Sequence, residues 1–278
     1  MLRQRVITAL VLAPILIGGL FFLPPFGFAV FTALLLAIAG WEWANIAGIG
    51  NQVGRFGYAL VLLLAMGASY TAPVIPVLGT LMVFWVLMAL AVIRYPAMEG
   101  AWAPAPVRLI MGLAVLPGAW LALNHLRAGD LQLGGASNNL LLILYTFLIV
   151  WAADIGAYFV GRALGKRKLA PAVSPGKTLA GAWGGLSAVA LLAVGVGLWF
   201  DLPRLVFVQF LIVSLITAVS SIFGDLFESM LKRHRGIKDS SHLLPGHGGL
   251  LDRIDSLVIA IPVLALCFTA LGWLVPVQ

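Results

Sequence analysis

Thiol and charge are what this chain has least of. A single cysteine, Cys267, stands among 278 residues, so no intramolecular disulfide can form and no thiolate cluster can hold a metal. Set in an apolar run, it reads as a packed small hydrophobe. Charged residues make up 10 % of the chain, far below the roughly 25 % of soluble domains. Hydrophobic residues make up 62 %. A soluble protein of this length would run out of polar surface before covering that much apolar material. Lipid must therefore be the solvent for most of the chain. Acids are scarcer than bases, 10 against 17, giving a net charge of +7. That excess would suggest nucleic acid in a soluble protein, but here its placement points to membrane topology instead.

A bilayer core takes about 20 apolar residues per helix. Nine stretches qualify, near 5–23, 26–48, 57–75, 78–93, 107–125, 138–160, 178–200, 204–231 and 254–275. Pro24, Pro25, Pro73, Pro76, Pro96 and Pro203 fall in or beside the breaks, where a missing N–H does least harm. The start has the basic residues and apolar run of a signal peptide. Its apolar part is long and no small-residue cleavage site follows, so it reads as a retained first helix. With the N-terminus in the cytoplasm, one side collects Arg3, Arg5, Arg55, Arg94, Arg108, Arg162, Lys166, Arg167, Lys168, Lys177, Lys232, Arg233, Arg235, Lys238 and Arg253. The other side keeps Arg127 and Arg204. That asymmetry predicts an all-α polytopic protein with a cytoplasmic N-terminus and a periplasmic C-terminus. No repeat or soluble domain interrupts it. The chain reads as one membrane domain over 1–278, with its chemistry in 151–256.

Acids at membrane depth are costly, about 2.5–3.5 kcal/mol each on insertion scales, so Glu42, Asp154, Asp225 and Glu228 each need a reason. Glu42, between Trp41 and Trp43, reads as an interfacial acid flanked by anchoring aromatics. On the eighth stretch Ser221, Asp225, Ser229 and Lys232 are spaced four, four and three, which lines one helical face. Asp252 and Asp255, three apart, open the ninth. Asp225, Asp252 and Asp255 make an all-oxygen donor set suited to Mg²⁺, which is often bound through one or two carboxylates plus substrate phosphates. Between them Pro245, Gly246, Gly248 and Gly249 form a turn with little side-chain bulk, and His247 can donate to a phosphate. The other polar loop ends in Gly176–Lys177–Thr178. A Walker pattern needs glycine at 171, where Pro171 stands, and no buried strand precedes it, so it is not a P-loop. Ser174, Lys177 and Thr178 can still present hydroxyls and an ammonium to a phosphate at a helix start. Carboxylates that hold metal, cations that hold phosphates and no Ser-His-Asp order together suit phosphoryl or nucleotidyl transfer. Burial in lipid makes one substrate lipidic.

The run from Ser229 to Asp255, SMLKRHRGIKDSSHLLPGHGGLLDRID, resembles the hallmark of phosphatidate cytidylyltransferases, also called CDP-diacylglycerol synthases. SxLKR, KD, PxHGG and DRxD are all present in order. Gly224–Asp225, the stretch DIGAYFVGRxxGK from Asp154 and SPxKT from Ser174 are similar too, and the resemblance covers about 151–256. One departure is Ala180, where KTxEG leads to an acid being expected. The resemblance implies that CTP and phosphatidic acid react to give CDP-diacylglycerol and pyrophosphate with Mg²⁺ and possibly a second metal ion, in a homodimer in a bacterial inner membrane with its site facing the cytoplasm. The expected catalytic residues are Asp225, Asp252 and Lys177, with Asp225, Asp252 and Asp255 on metal. Ser174, Thr178, Ser221, Lys232, Arg233, Lys238, Asp239, His247, Gly248, Gly249 and Arg253 are expected on substrate. The competing classes are a secondary transporter or ion exchanger, and another CTP-dependent membrane enzyme such as a lipid kinase.

Overall fold

The computed structural model describes Leu10, residues 14–133 and residues 138–275. In chain order the elements are α1 (Pro25–Ile46), α2 (Gln52–Ser69), α3 (Val74–Ile93), the single turn α4 (Glu99–Trp102), α5 (Ala105–Ala128), β1 (Asp130–Leu131) and α6 (Asn139–Leu164). Then come β2 (Lys168–Ala170), β3 (Ser174–Thr178), α7 (Leu179–Trp199), α8 (Arg204–Arg235), α9 (Leu251–Ile254), α10 (Leu257–Ala270) and β4 (Leu274–Val275). Among the described residues eight helices are long and apolar enough to cross a membrane, the last running from Leu251 to Ala270. They match eight of the nine expected spans. The remaining one, 5–23, is described in part: residues 5–9 and 11–13, with Arg3 and Arg5, lie outside the described residues, and residues 14–22 are helical.

Local chemistry sets the helix ends. Asn51 accepts from the Gly54 N–H at 2.6 Å and starts α2, five residues before the expected 57, because the cap outweighs the polar first turn. Thr178 does the same for α7, accepting from Gly181 N–H at 3.0 Å. Gly236, left-handed at φ 73°, stops α8, with Ile237 N–H returning to Lys232 O. Thr32, Thr146, Ser214 and Thr217 bond back to carbonyls of their own helices, which satisfies hydroxyls where no water is at hand.

The helices pack through small residues. A Cβ on Gly156 of α6 would lie 2.5 Å from Gly184 O of α7, so the two backbones meet directly. α10 runs through the middle, packed against α3, α5, α6 and α8, with Val258 to Ala265 all buried. Leu191, Leu64, Val83, Phe159 and Trp183 point outward and exposed, as lipid-facing residues of a multi-pass membrane protein must. Two short antiparallel ladders qualify the all-α expectation. β1 pairs with β4 at one end of the bundle, and β2 pairs with β3 at the other. Strands of two to five residues carry no usable alternation, which is why the sequence reading missed them.

Candidate active site

Two helix junctions assemble the site at the end of the bundle that carries the β2–β3 hairpin. In the first, the Lys177 Nζ at the end of β3 lies 2.7 Å from Asp225 Oδ2 on α8, with both side chains a little under one-third exposed. Ser229 donates to Asp225 Oδ1 at 3.2 Å. Asp154 of α6 lies within the field of Lys177, Asp225 and Arg253. This group opens on a cleft of about 380 Å³ between α6, the hairpin and α7, lined among others by Asp154, Tyr158, Arg162, Lys177, Thr178 and Ile222. In the second junction, Lys232 Nζ lies 2.7 Å from Asp252 Oδ1 and 3.3 Å from Glu228 Oε1. Asp252 also accepts from Gly249 N–H at 2.8 Å, and its Oδ2 from the Ser240 N–H and Oγ, both at 3.0 Å. Asp255 lies between the two groups, within reach of the charges of Asp225 and Lys232 and against Glu228.

Glycines permit these approaches. A Cβ on Gly224 would lie 2.5 Å from Asp255 O, so α8 can come close enough to set Asp225 beside the α9–α10 junction. Gly248 has φ +82°, and a Cβ there would lie 2.7 Å from Asp252 Oδ2.

The expected residues fall into three groups. Lys177, Asp225, Lys232, Asp252, Asp255, Arg253 and Gly249 converge on the two junctions. Lys238 and Asp239 are exposed on the loop above, and His247 is half-buried there with an unpartnered Nδ1. The others have structural contacts. Thr178 caps α7, and Ser221 donates to Ala218 O of its own helix at 2.8 Å. Ser174 pairs with Ala170 in the hairpin, and Arg233 Nε donates to Val173 O at 3.3 Å, tying the hairpin to α8.

Glu42 is a correction. It is no interfacial acid: it is fully buried and accepts from Ser241 Oγ at 2.6 Å, Leu251 N–H at 2.6 Å, Leu250 N–H at 2.9 Å and Ser240 Oγ at 3.4 Å. The flanking tryptophans suggested an interface, but the loop 240–251 folds over the end of α1 and encloses the carboxylate. Sequence reasoning also left Ser240 out. Only the lone acid on an otherwise apolar helix hinted at this contact.

A family model for the cytidylyltransferase family matches residues 3–271. The chain belongs to that family. It is similar to the phosphatidate cytidylyltransferase of Pseudomonas aeruginosa, 46 % identical over 99 % of this chain and 100 % of that one. The corresponding protein of Haemophilus influenzae is 39 % identical over 94 % and 96 %, and that of Staphylococcus epidermidis 30 % identical over 93 % and 94 %.

In this cytidylyltransferase the donor set can be tested against a hard cation. Among the described residues no three His, Cys, Asp or Glu side chains form a ready metal cage. Asp225, Asp255 and Glu228 nevertheless bring carboxylates together, with Glu228 buried against Asp255 and its Oε1 3.3 Å from Lys232 Nζ. Carboxylates gathered this closely repel one another unless cations lie among them, and such an oxygen donor set fits Mg²⁺, which completes its shell with water and substrate phosphate.

Proposed function

We propose that this cytidylyltransferase transfers the cytidylyl group of CTP to phosphatidic acid, giving CDP-diacylglycerol and pyrophosphate. The relatives' names support the reaction. The observation that carries it onto this chain is the Lys177–Asp225 pair, 2.7 Å apart, at the mouth of a cleft and next to a second lysine–carboxylate group. Phosphatidate is a phosphomonoester, bearing about −1.5 to −2 charges near neutral pH. Its oxygen is already a nucleophile, so no general base is needed. That oxygen forms a bond to the α-phosphorus of CTP. The bond from α-phosphorus to the bridging oxygen breaks, and pyrophosphate leaves with the electron pair.

The difficulty is bringing two anions together, and the chain's residues address it. Lys177, Arg253 and Lys232 set positive charge around the meeting point, where partial exclusion of water strengthens it. Lys238, the His247 ring and the Gly248–Gly249 turn add donors on the loop above. Asp225 and Asp252 hold the ammoniums of Lys177 and Lys232 in place. Mg²⁺, held by Asp225, Asp255 and Asp252 with a second ion in the same proposal, would supply Lewis-acid neutralisation of the phosphates.

The proposal places this end in the cytoplasm of a bacterial inner membrane. Among the described basic residues, Arg127 and Arg204 alone belong to the opposite end, and basic residues favour the cytoplasmic side. A homodimer is proposed on the resemblance.

The test is detergent-purified protein given labelled CTP, phosphatidate and Mg²⁺. CDP-lipid and pyrophosphate in equal amounts are expected. Phosphorylation of a lipid alcohol by CTP would instead establish a kinase, and no turnover of either lipid would remove the reading. Light scattering of the same preparation reads two copies or one.

A further inference from the structure

Among the described residues the first five helices contribute one charged side chain to the loop that leads into Asp252. Glu42 is fully buried, and no lysine or arginine lies in ion-pair range of it among the described residues. A buried carboxylate without a cation is costly unless neutral donors surround it, and Glu42 has four. Two are the consecutive amides of Leu250 and Leu251, which immediately precede Asp252. The other two are the hydroxyls of Ser240 and Ser241. Ser240 is shared. Its hydroxyl lies 3.0 Å from Asp252 Oδ2 and 3.4 Å from Glu42 Oε2, and its single proton serves one carboxylate at a time. One helical turn on, Asn45 Nδ2 donates to Ser240 O at 2.9 Å. Gly249 lies between the two acids, and a Cβ there would lie 2.5 Å from Glu42 Oε1.

The geometry points to Glu42 as the positioning residue for Asp252. It fixes the loop 240–251 from beneath, so that the Ser240 and Gly249 donors meet the Asp252 carboxylate at a set angle. The inference rests on the proposed transfer reaction. It gives α1 a part in catalysis although none of its residues faces the cleft. Neutral glutamine in this place keeps the size but must turn an NH₂ toward a donor, because one of its two terminal atoms no longer accepts.

The experiment uses the full-length protein in detergent. Glu42→Gln should fold with a near-normal Tm, keep its KM for phosphatidate and lose about 10- to 100-fold in kcat, the scale on which remote misplacement acts. Glu42→Asp should restore part of the loss. Deuterium exchange should rise in 240–252 and stay unchanged in α6 and α7. Glu42→Gln at wild-type kcat, or a fall in Tm with kcat per folded molecule unchanged, overturns the inference. If Glu42→Gln does not insert, Ser241→Ala removes a Glu42 donor that makes no bond to Asp252. A lower kcat with faster exchange in 240–252 then supports the inference, and no change in either rejects it. A wild-type protein that forms no CDP-lipid removes the proposed function, whereas an active wild type with an equally active Glu42→Gln removes this inference alone.

Discussion

The two ends of the bundle differ in chemistry more than in shape. One end holds the lysine–carboxylate pairs Lys177–Asp225 and Lys232–Asp252 and a cleft of about 380 Å³ that Lys177 and Asp154 line. The other end has the larger cleft, about 540 Å³, lined by Tyr70, Asn124, His125 and Arg127 among others. There the polar groups are spent on structure. His125 Nε2 bonds Thr269 Oγ1 at 2.8 Å, and Arg127 donates to Leu23 O and lies over the Phe28 ring. Asn139 bonds Leu126 O and Gly129 O, and β1 closes on β4. No acid–base pair faces that cleft among the described residues. Volume therefore does not identify the site. Transfer between two anions needs opposed charges held apart from bulk water, and one end supplies them.

The comparison can be broken by mutation. The largest effect is expected for Asp225→Asn, which removes the charge facing Lys177 and one proposed metal ligand. kcat in the labelled-CTP assay should fall by about 10³-fold with insertion unchanged, at the upper end for loss of one preorganised electrostatic group. Wild-type-like turnover would place the chemistry elsewhere. Lys177→Ala comes next, at about 10²-fold in kcat/KM for CTP, because it strips the cleft of its ammonium and leaves Asp225 unpaired. Gly224→Ala tests the approach of α8 to the α9–α10 junction. Overpacking there should cost about 1–3 kcal/mol, read as a lower Tm together with reduced turnover. The smallest effects sharpen the contrast. Arg127→Ala, which loosens contacts to Leu23 and Phe28 far from the lysine–carboxylate pairs, and Lys166→Ala, an exposed surface substitution at the near end, should each leave activity per folded molecule within about twofold. A collapse in Arg127→Ala would reverse the assignment of the two ends.

Much of this was readable beforehand, for identifiable reasons. Eight helices lie where apolar runs of bilayer length predicted them, since lipid allows few alternatives to a continuous helix. Their ends were less readable. α2 begins at Gln52 because Asn51 caps it, a side-chain contact that a hydropathy window does not register. In the site, Asp225, Lys232, Asp252 and Asp255 were visible because helical spacing put them on shared faces. Thr178 and Ser221, expected on substrate, also make local bonds to Gly181 N–H and Ala218 O, and spacing carries no record of such bonds. Glu228 is legible in the sequence only as an acid at membrane depth, but its burial between Lys232 and Asp255 sets it at the centre.

By itself the sequence determined the solvent, the helical class and the order of the polar motifs, because composition and periodicity are local properties that a bilayer constrains tightly. Tertiary structure alone decided which carboxylate meets which cation, that a hairpin carries Lys177, and that Glu42 supports amides 208 and 209 residues further along. Contacts over that separation depend on how helices pack and where loops close over them, and no repeat in the chain encodes either.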